Sequence, residues 1–148
     1  MVEFLSINPE VNHELKKLKY WFEINKLTLN VTKSSYIIFK GNKPDLQHDD
    51  LIFGNHKLNQ VNSLTHLGII IDAKLSWHLH TQYLTKKIAS SIYVLRKIKH
   101  KINFITSIKL YDTLIASHLL YCNLVWGSTF KSYLDPIIKL QKKPYVYV

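Results

Sequence analysis

The sequence holds one cysteine, Cys122, and one arginine, Arg96, in 148 residues. A lone cysteine excludes an intrachain disulfide and suits a reducing, intracellular setting. Cys122 lies among apolar and aromatic neighbours with no base beside it in sequence, so it reads as a core thiol and not as a nucleophile. Glycine is as sparse: Gly41, Gly54, Gly68 and Gly127 stand apart, which excludes a glycine-rich phosphate loop. Metal-ligand spacings are also missing. There is no cysteine pair and no His-x-x-x-His, and His78 and His80, two apart, would face different ways on a helix. Asp49-Asp50 is the only adjacent acid pair. It sits in a polar loop without a third acid at a useful spacing, so it reads as solvated and not as a metal site. No catalytic residue and no metal ligand is assigned. The start, Met-Val-Glu-Phe-Leu, lacks the basic and apolar pattern of a secretory signal. The most apolar stretch, Ile105 to Trp126, is interrupted by Lys109, Asp112 and His118. A membrane span needs ~20 mostly apolar residues without such charges, so no membrane segment is expected.

What the chain does have is positive charge, and on one side only. Residues 1–72 carry eight Lys and eight Asp or Glu, whereas residues 73–148 carry twelve Lys or Arg against Asp112 and Asp135. The whole net charge of +10 therefore lies after Asp72. A one-sided basic half is the footprint of a nucleic-acid or anionic-membrane partner, or else a solvated lysine surface. With Arg96 the only arginine, a nucleic-acid partner would be held by its phosphates and hardly read by base edges.

At 47 % hydrophobic and 12 % aromatic the chain can fill a core, and its length suits one domain or two small ones. Asn8-Pro9-Glu10 reads as a helix start, and Val11, Leu15, Leu18 and Phe22 mark one apolar face to about Lys26. Ser35 to Lys40 reads as a buried strand, Gly41 to Asp50 as a loop. Leu51 to Phe53 and His56 to Leu58 form a hairpin around Gly54-Asn55. Thr65 to Ile71 reads as a strand, since β-branched side chains favour it. From Ser76 the pattern turns helical: Leu84, Ile88, Ile92, Leu95, Ile98 and Ile102 trace an apolar stripe. Opposite it, Lys86, Ser90, Tyr93, Lys97 and Lys101 recur at spacings of four, three, four and four. Such a face can grip phosphate and stack a base, or simply meet solvent. A further helix from Thr106 or Ser107 would turn Ile108, Tyr111, Leu114 and Ile115 inward and break between Tyr121 and Gly127. A last helix covers about Tyr133 to Lys143. The order predicts an α+β chain: 1–72 with a helix and short antiparallel strands, then 73–148 as a basic all-helical region.

Four stretches in this order carry a family resemblance. They are Glu14-Leu-Lys-Lys-Leu18 with Trp21-Phe22, Asn25-Lys-Leu-Thr-Leu-Asn30, Lys33 and Tyr36-Ile-Ile-Phe39; His66-Leu-Gly-Ile-Ile-Ile-Asp72; Leu75-Ser-Trp77 with His80; and Leu110-Tyr111, Ser117-His-Leu-Leu-Tyr-Cys122, Trp126-Gly127 and Leu140-Gln-Lys-Lys143. Together they resemble the C-terminal part of a non-LTR retrotransposon reverse transcriptase of the jockey type. The resemblance implies that 1–72 is the end of a palm domain. Leu67, Gly68 and Ile69 would be its primer grip, and 73–148 would be a thumb holding an RNA–DNA hybrid or duplex through Lys86, Tyr93, Lys97 and Lys101. In the family, the aromatic-Ala-Asp-Asp box that holds Mg precedes the first stretch. Neither box nor metal is therefore expected in this chain, which by itself should not polymerise; activity would need a longer product or a partner supplying the aspartates. The family usually has Phe where His66 stands, and the ending Pro-Tyr-Val-Tyr-Val departs from its basic, apolar continuation, as a truncation or frame shift would. The alternative is a decayed remnant that is non-functional or serves as a structural, protein-interacting piece.

Overall fold

The computed structural model describes residues 7–39 and 50–142, and the chain divides into two compact units, Met1–Leu64 and Thr65–Val148. It is α+β. The strand at Ile69–Asp72, grouped with the first region on sequence, packs on the helices of the second unit. The stretch 40–49 with Asp49, and the 143–148 end, lie outside the described residues.

In the first unit, helix α1 (Ile7–Ile24) starts at Ile7, so Asn8-Pro9 falls inside its first turn. There proline's missing N–H costs no intrahelical bond. Phe22 meets Phe53 edge-on at 5.9 Å, and Phe53 and Leu58 are buried. The hairpin β2 (Ile52–Phe53) and β3 (His56–Lys57) forms as its sequence predicts, with Gly54 alone supplying the positive φ. The strand read over Ser35 to Lys40 shortens to β1 (Ser35–Tyr36), with Phe39 exposed. It pairs parallel, not antiparallel, with β4 (Asn59–Gln60). A parallel pair needs a long crossover connection, and the stretch between Tyr36 and Asn59, hairpin included, supplies one.

The boundary between the units falls within β5 (Ser63–His66), which makes a hairpin with β6 (Ile69–Asp72). The stretch read as one strand thus folds back at Leu67-Gly68. Both turn residues have positive φ, 47° and 82°, the geometry whose twist matches that of paired strands. Helix α2 (His78–Ile98) is shorter than its periodicity predicts and ends in a 3₁₀ turn, Lys99–Lys101. Helix α3 (Phe104–Tyr111) begins earlier than read, because the Asn103 side chain accepts a hydrogen bond from the Thr106 N–H at 2.8 Å. A π turn, Asp112–Ala116, joins it to α4 (Ser117–Leu120), and α5 (Asn123–Trp126) and α6 (Lys131–Lys142) follow. The wider π turn resets the helical register: Ile115 is fully buried and Tyr111 and Leu114 pack on the core, whereas Ile108 is exposed, against expectation. Cys122 is exposed too. It takes a left-handed conformation, φ 50°, in the turn between α4 and α5. Ile69, Leu84, Ile88, Ile92, Ile115, Trp126 and Ile137 form the core of this unit.

Candidate nucleic-acid interface

Three of the four residues expected to bind nucleic acid lie on one face of α2. At spacings of seven and four, with 3.6 residues per turn, Lys86, Tyr93 and Lys97 align while Leu84, Ile88 and Ile92 are buried on the other side. All three are exposed, Tyr93 by 61 %. The Lys97 ammonium lies 5.6 Å from the centroid of the Tyr93 ring, so the phenol face and the charge form one cation–aromatic unit. Helix α2 carries no Asp or Glu, and neither Lys86 nor Lys97 makes an ion pair among the described residues. Lys101 is exposed in the 3₁₀ turn beyond the helix, where the angular step changes, so it continues the track without sharing the α2 face.

A second such pair went unnoticed in the sequence. Lys87 reaches over the Tyr83 ring at 5.6 Å and donates to its hydroxyl at 3.3 Å. Burial, and the nearby Lys87 ammonium after it, hold the His118 imidazole below its usual range. The signal was legible: Tyr83 and Lys87 stand at the spacing of four that Tyr93 and Lys97 use.

The three grip-like residues divide by burial. Leu67 is 76 % exposed at the tip of the hairpin and Gly68 is exposed beside it, while Ile69 enters the core. A leucine in the left-handed region is unusual and costly. The Tyr121 hydroxyl donates to the Leu67 carbonyl at 2.7 Å, and the Tyr121 ring lies beside Gly68. The tip is therefore held from the α4–α5 turn.

Behind the hairpin, Asp72 organises the entry to α2. One carboxylate oxygen accepts from the Lys74 and Ser76 N–H groups, both at 3.1 Å; the other accepts from the Trp77 N–H at 2.9 Å and the Ser76 hydroxyl at 3.2 Å. This shell holds a turn in which Leu75 and Trp77 have positive φ. It also puts a negative charge beside a helix start that has no acid of its own. Burial works to raise the Asp72 pKa, but the Ser76, Trp77 and Lys74 N–H groups and the Ser76 hydroxyl together outweigh it and hold the carboxyl below its ordinary 3.8. His80, 2 % exposed, accepts from the Ile70 N–H at Nδ1, 3.4 Å away, and burial alone depresses its pKa. Asp72 and His80 are thus structural groups that tie strand to helix.

Asp50, the described half of the acid pair, makes an ion pair with Lys57 at 2.7 Å. Among the described residues no group of three His, Cys, Asp or Glu side chains could hold a metal, and no helix is long and apolar enough to cross a membrane. No family model, no curated protein and no solved structure matches the chain.

Proposed function

We propose that the chain is the end of the palm, the primer grip and the thumb of a non-LTR retrotransposon reverse transcriptase, without its catalytic aspartates. Its own capacity is then sequence-tolerant binding of an RNA–DNA hybrid or duplex. The observation that carries this reading is the exposed Lys86–Tyr93–Lys97 face on an acid-free helix. Ammonium groups without carboxylate partners release counterions from a phosphate backbone on contact, and an exposed ring offers a stacking surface that accepts any base. The four stretches of resemblance support it independently, as does the confinement of the net charge to 73–148. The family's Mg would be held by aspartates that this chain does not include, so no chemical step is assigned to it.

The test is a fluorescence-anisotropy titration with a primer–template hybrid at several salt concentrations. Binding that weakens linearly in log–log form with salt, and that collapses when Lys86, Lys97 and Lys101 become Glu, supports the reading. Salt-independent binding, or none, overturns it.

One observation favours a second reading, a structural or interacting remnant. Leu18, Trp21 and Ile24 on α1 are 43 %, 52 % and 61 % exposed, so much of the apolar face of that helix is uncovered. Aggregation of the purified chain, with loss of hybrid binding to the aggregate, is the outcome this second reading expects.

A further inference from the structure

Two tyrosines on α2 share one arrangement. Lys87 lies over the Tyr83 ring and Lys97 over the Tyr93 ring, each ammonium 5.6 Å from its centroid. Neither ring is taken up by the core: Tyr83 is 42 % exposed and Tyr93 is more so. The buried His80 ring lies nearly parallel to Tyr83 at 6.3 Å, which backs that phenol from the core side. The helix has no Asp or Glu, so neither lysine has a carboxylate partner on α2.

The spacing of the two rings sets a length. Ten residues of helix put them about 15 Å apart along the axis and about 80° apart around it. At ~3.4 Å per stacked nucleotide, that interval spans about four nucleotides of one strand. Lys86 falls between the rings both along and around the helix, and it is exposed.

A phenol face gains from a nucleobase only if the base offers a face of its own. In a duplex those faces are covered by the neighbouring pairs, and the grooves present edges and phosphates. Lysines alone suit a paired stem. Lysine-backed tyrosines add a surface that only unpaired bases can use. The ammonium beside each ring then stands where it can neutralise the phosphate of the base stacked there.

We infer that α2 binds an unpaired stretch of nucleic acid, with one base on Tyr83, one on Tyr93, and the phosphates between them met by Lys86, Lys87 and Lys97. The ligand is a single strand, or the unpaired overhang of a primer–template hybrid, and not the paired stem. This deepens the proposed function and rests on it.

The experiment titrates the full chain by anisotropy with three hybrids that share one stem. The first is blunt. The second carries a thymidine overhang long enough to reach both rings. The third carries the same overhang with its bases removed, so its phosphates are retained. The ordinary overhang should bind at least about fivefold tighter than the blunt stem, the lower end for one stacked base. The abasic overhang should lose most of that gain and keep its salt dependence. Tyr83→Leu and Tyr93→Leu, at exposed positions where leucine suits a helix, should each shrink the ratio between the ordinary and abasic overhangs. Lys87→Ala should weaken both overhangs alike. If blunt and overhanging hybrids bind equally, or the abasic overhang binds as well as the ordinary one, the stacking inference is overturned while the proposed nucleic-acid binding stands. If none of the three shows salt-dependent binding, both fail together.

Discussion

At the scale of single residues, the chemistry of this chain is that of buried and half-buried polar groups holding backbone. Asp72 shows it best. Four donors converge on one buried carboxylate, so Asp72→Ala should destabilise the second unit by about 2–3 kcal/mol, since it strands backbone N–H groups inside the turn. Urea denaturation reads this directly. The sign with pH follows from the lowered folded pKa. The unfolded chain takes up a proton near 3.8 and the folded chain only lower down. The carboxylate's contribution is thus complete above that ordinary value and is lost as pH falls through the lower folded one. His80 has its own window. Its folded pKa lies below the ordinary 6.5 because the neutral ring is buried, so stability should be full above that value and decline as pH drops below it towards the folded pKa. A urea midpoint that stays level from neutral pH to well below 6.5 would refute this role for His80.

Leu67 and Tyr121 give a second residue-scale prediction. Leu67→Asn keeps the left-handed turn with a side chain that tolerates it, and should raise stability by roughly 0.5–1 kcal/mol. Tyr121→Phe removes the hydrogen bond to the Leu67 carbonyl and should cost about 0.5–1.5 kcal/mol. Thermal melts of the two variants should move in opposite directions.

At the scale of elements, α2 is the organising piece. One face supplies Leu84, Ile88 and Ile92 to the core, and the opposite face supplies the lysine–tyrosine track. Each Lys→Ala change at 86, 97 or 101 should lower the slope of log affinity against log salt by about one. Tyr93→Ala should weaken binding of single strands by roughly 1–3 kcal/mol while leaving that slope unchanged. A slope unchanged by any of the three lysine changes would show that they do not meet phosphate. Periodicity revealed this helix because an amphipathic stripe of 3.6-residue period is a local property. Its end was not legible: Ile102 continues the apolar pattern, yet the backbone tightens into a 3₁₀ turn before it. The hairpin at Leu67-Gly68 was hidden for a different reason. Continuous β-branched residues signal a strand but not where it folds back, and leucine gives no turn signal of its own. Register in the α3–α4 segment was missed because a π turn has no signature in composition.

At the scale of the molecule, the two units differ in how much they bury. The second has a contiguous core of seven buried apolar side chains, while the buried apolar side chains described in the first are Phe53 and Leu58. Hydrogen exchange on the full chain should therefore be slowest at the amides of Ile88, Ile92 and Ile115. It should be far faster along α1, where apolar side chains stay exposed. Uniform protection across both units would refute this division. The sequence by itself determined the charge division, the apolar and basic faces of α2 and the hairpin at Gly54, because these depend on composition and on contacts near in the chain. Only the tertiary structure decided the rest. It folded 63–72 into a hairpin steadied by Tyr121, turned Asp72 and His80 into anchors, and left Cys122 outside. Those outcomes depend on where the backbone turns and on which groups meet: the left-handed Leu67 is held by Tyr121, 54 residues on, and the buried Asp72 carboxylate is satisfied only because the turn after it aims three N–H groups at it.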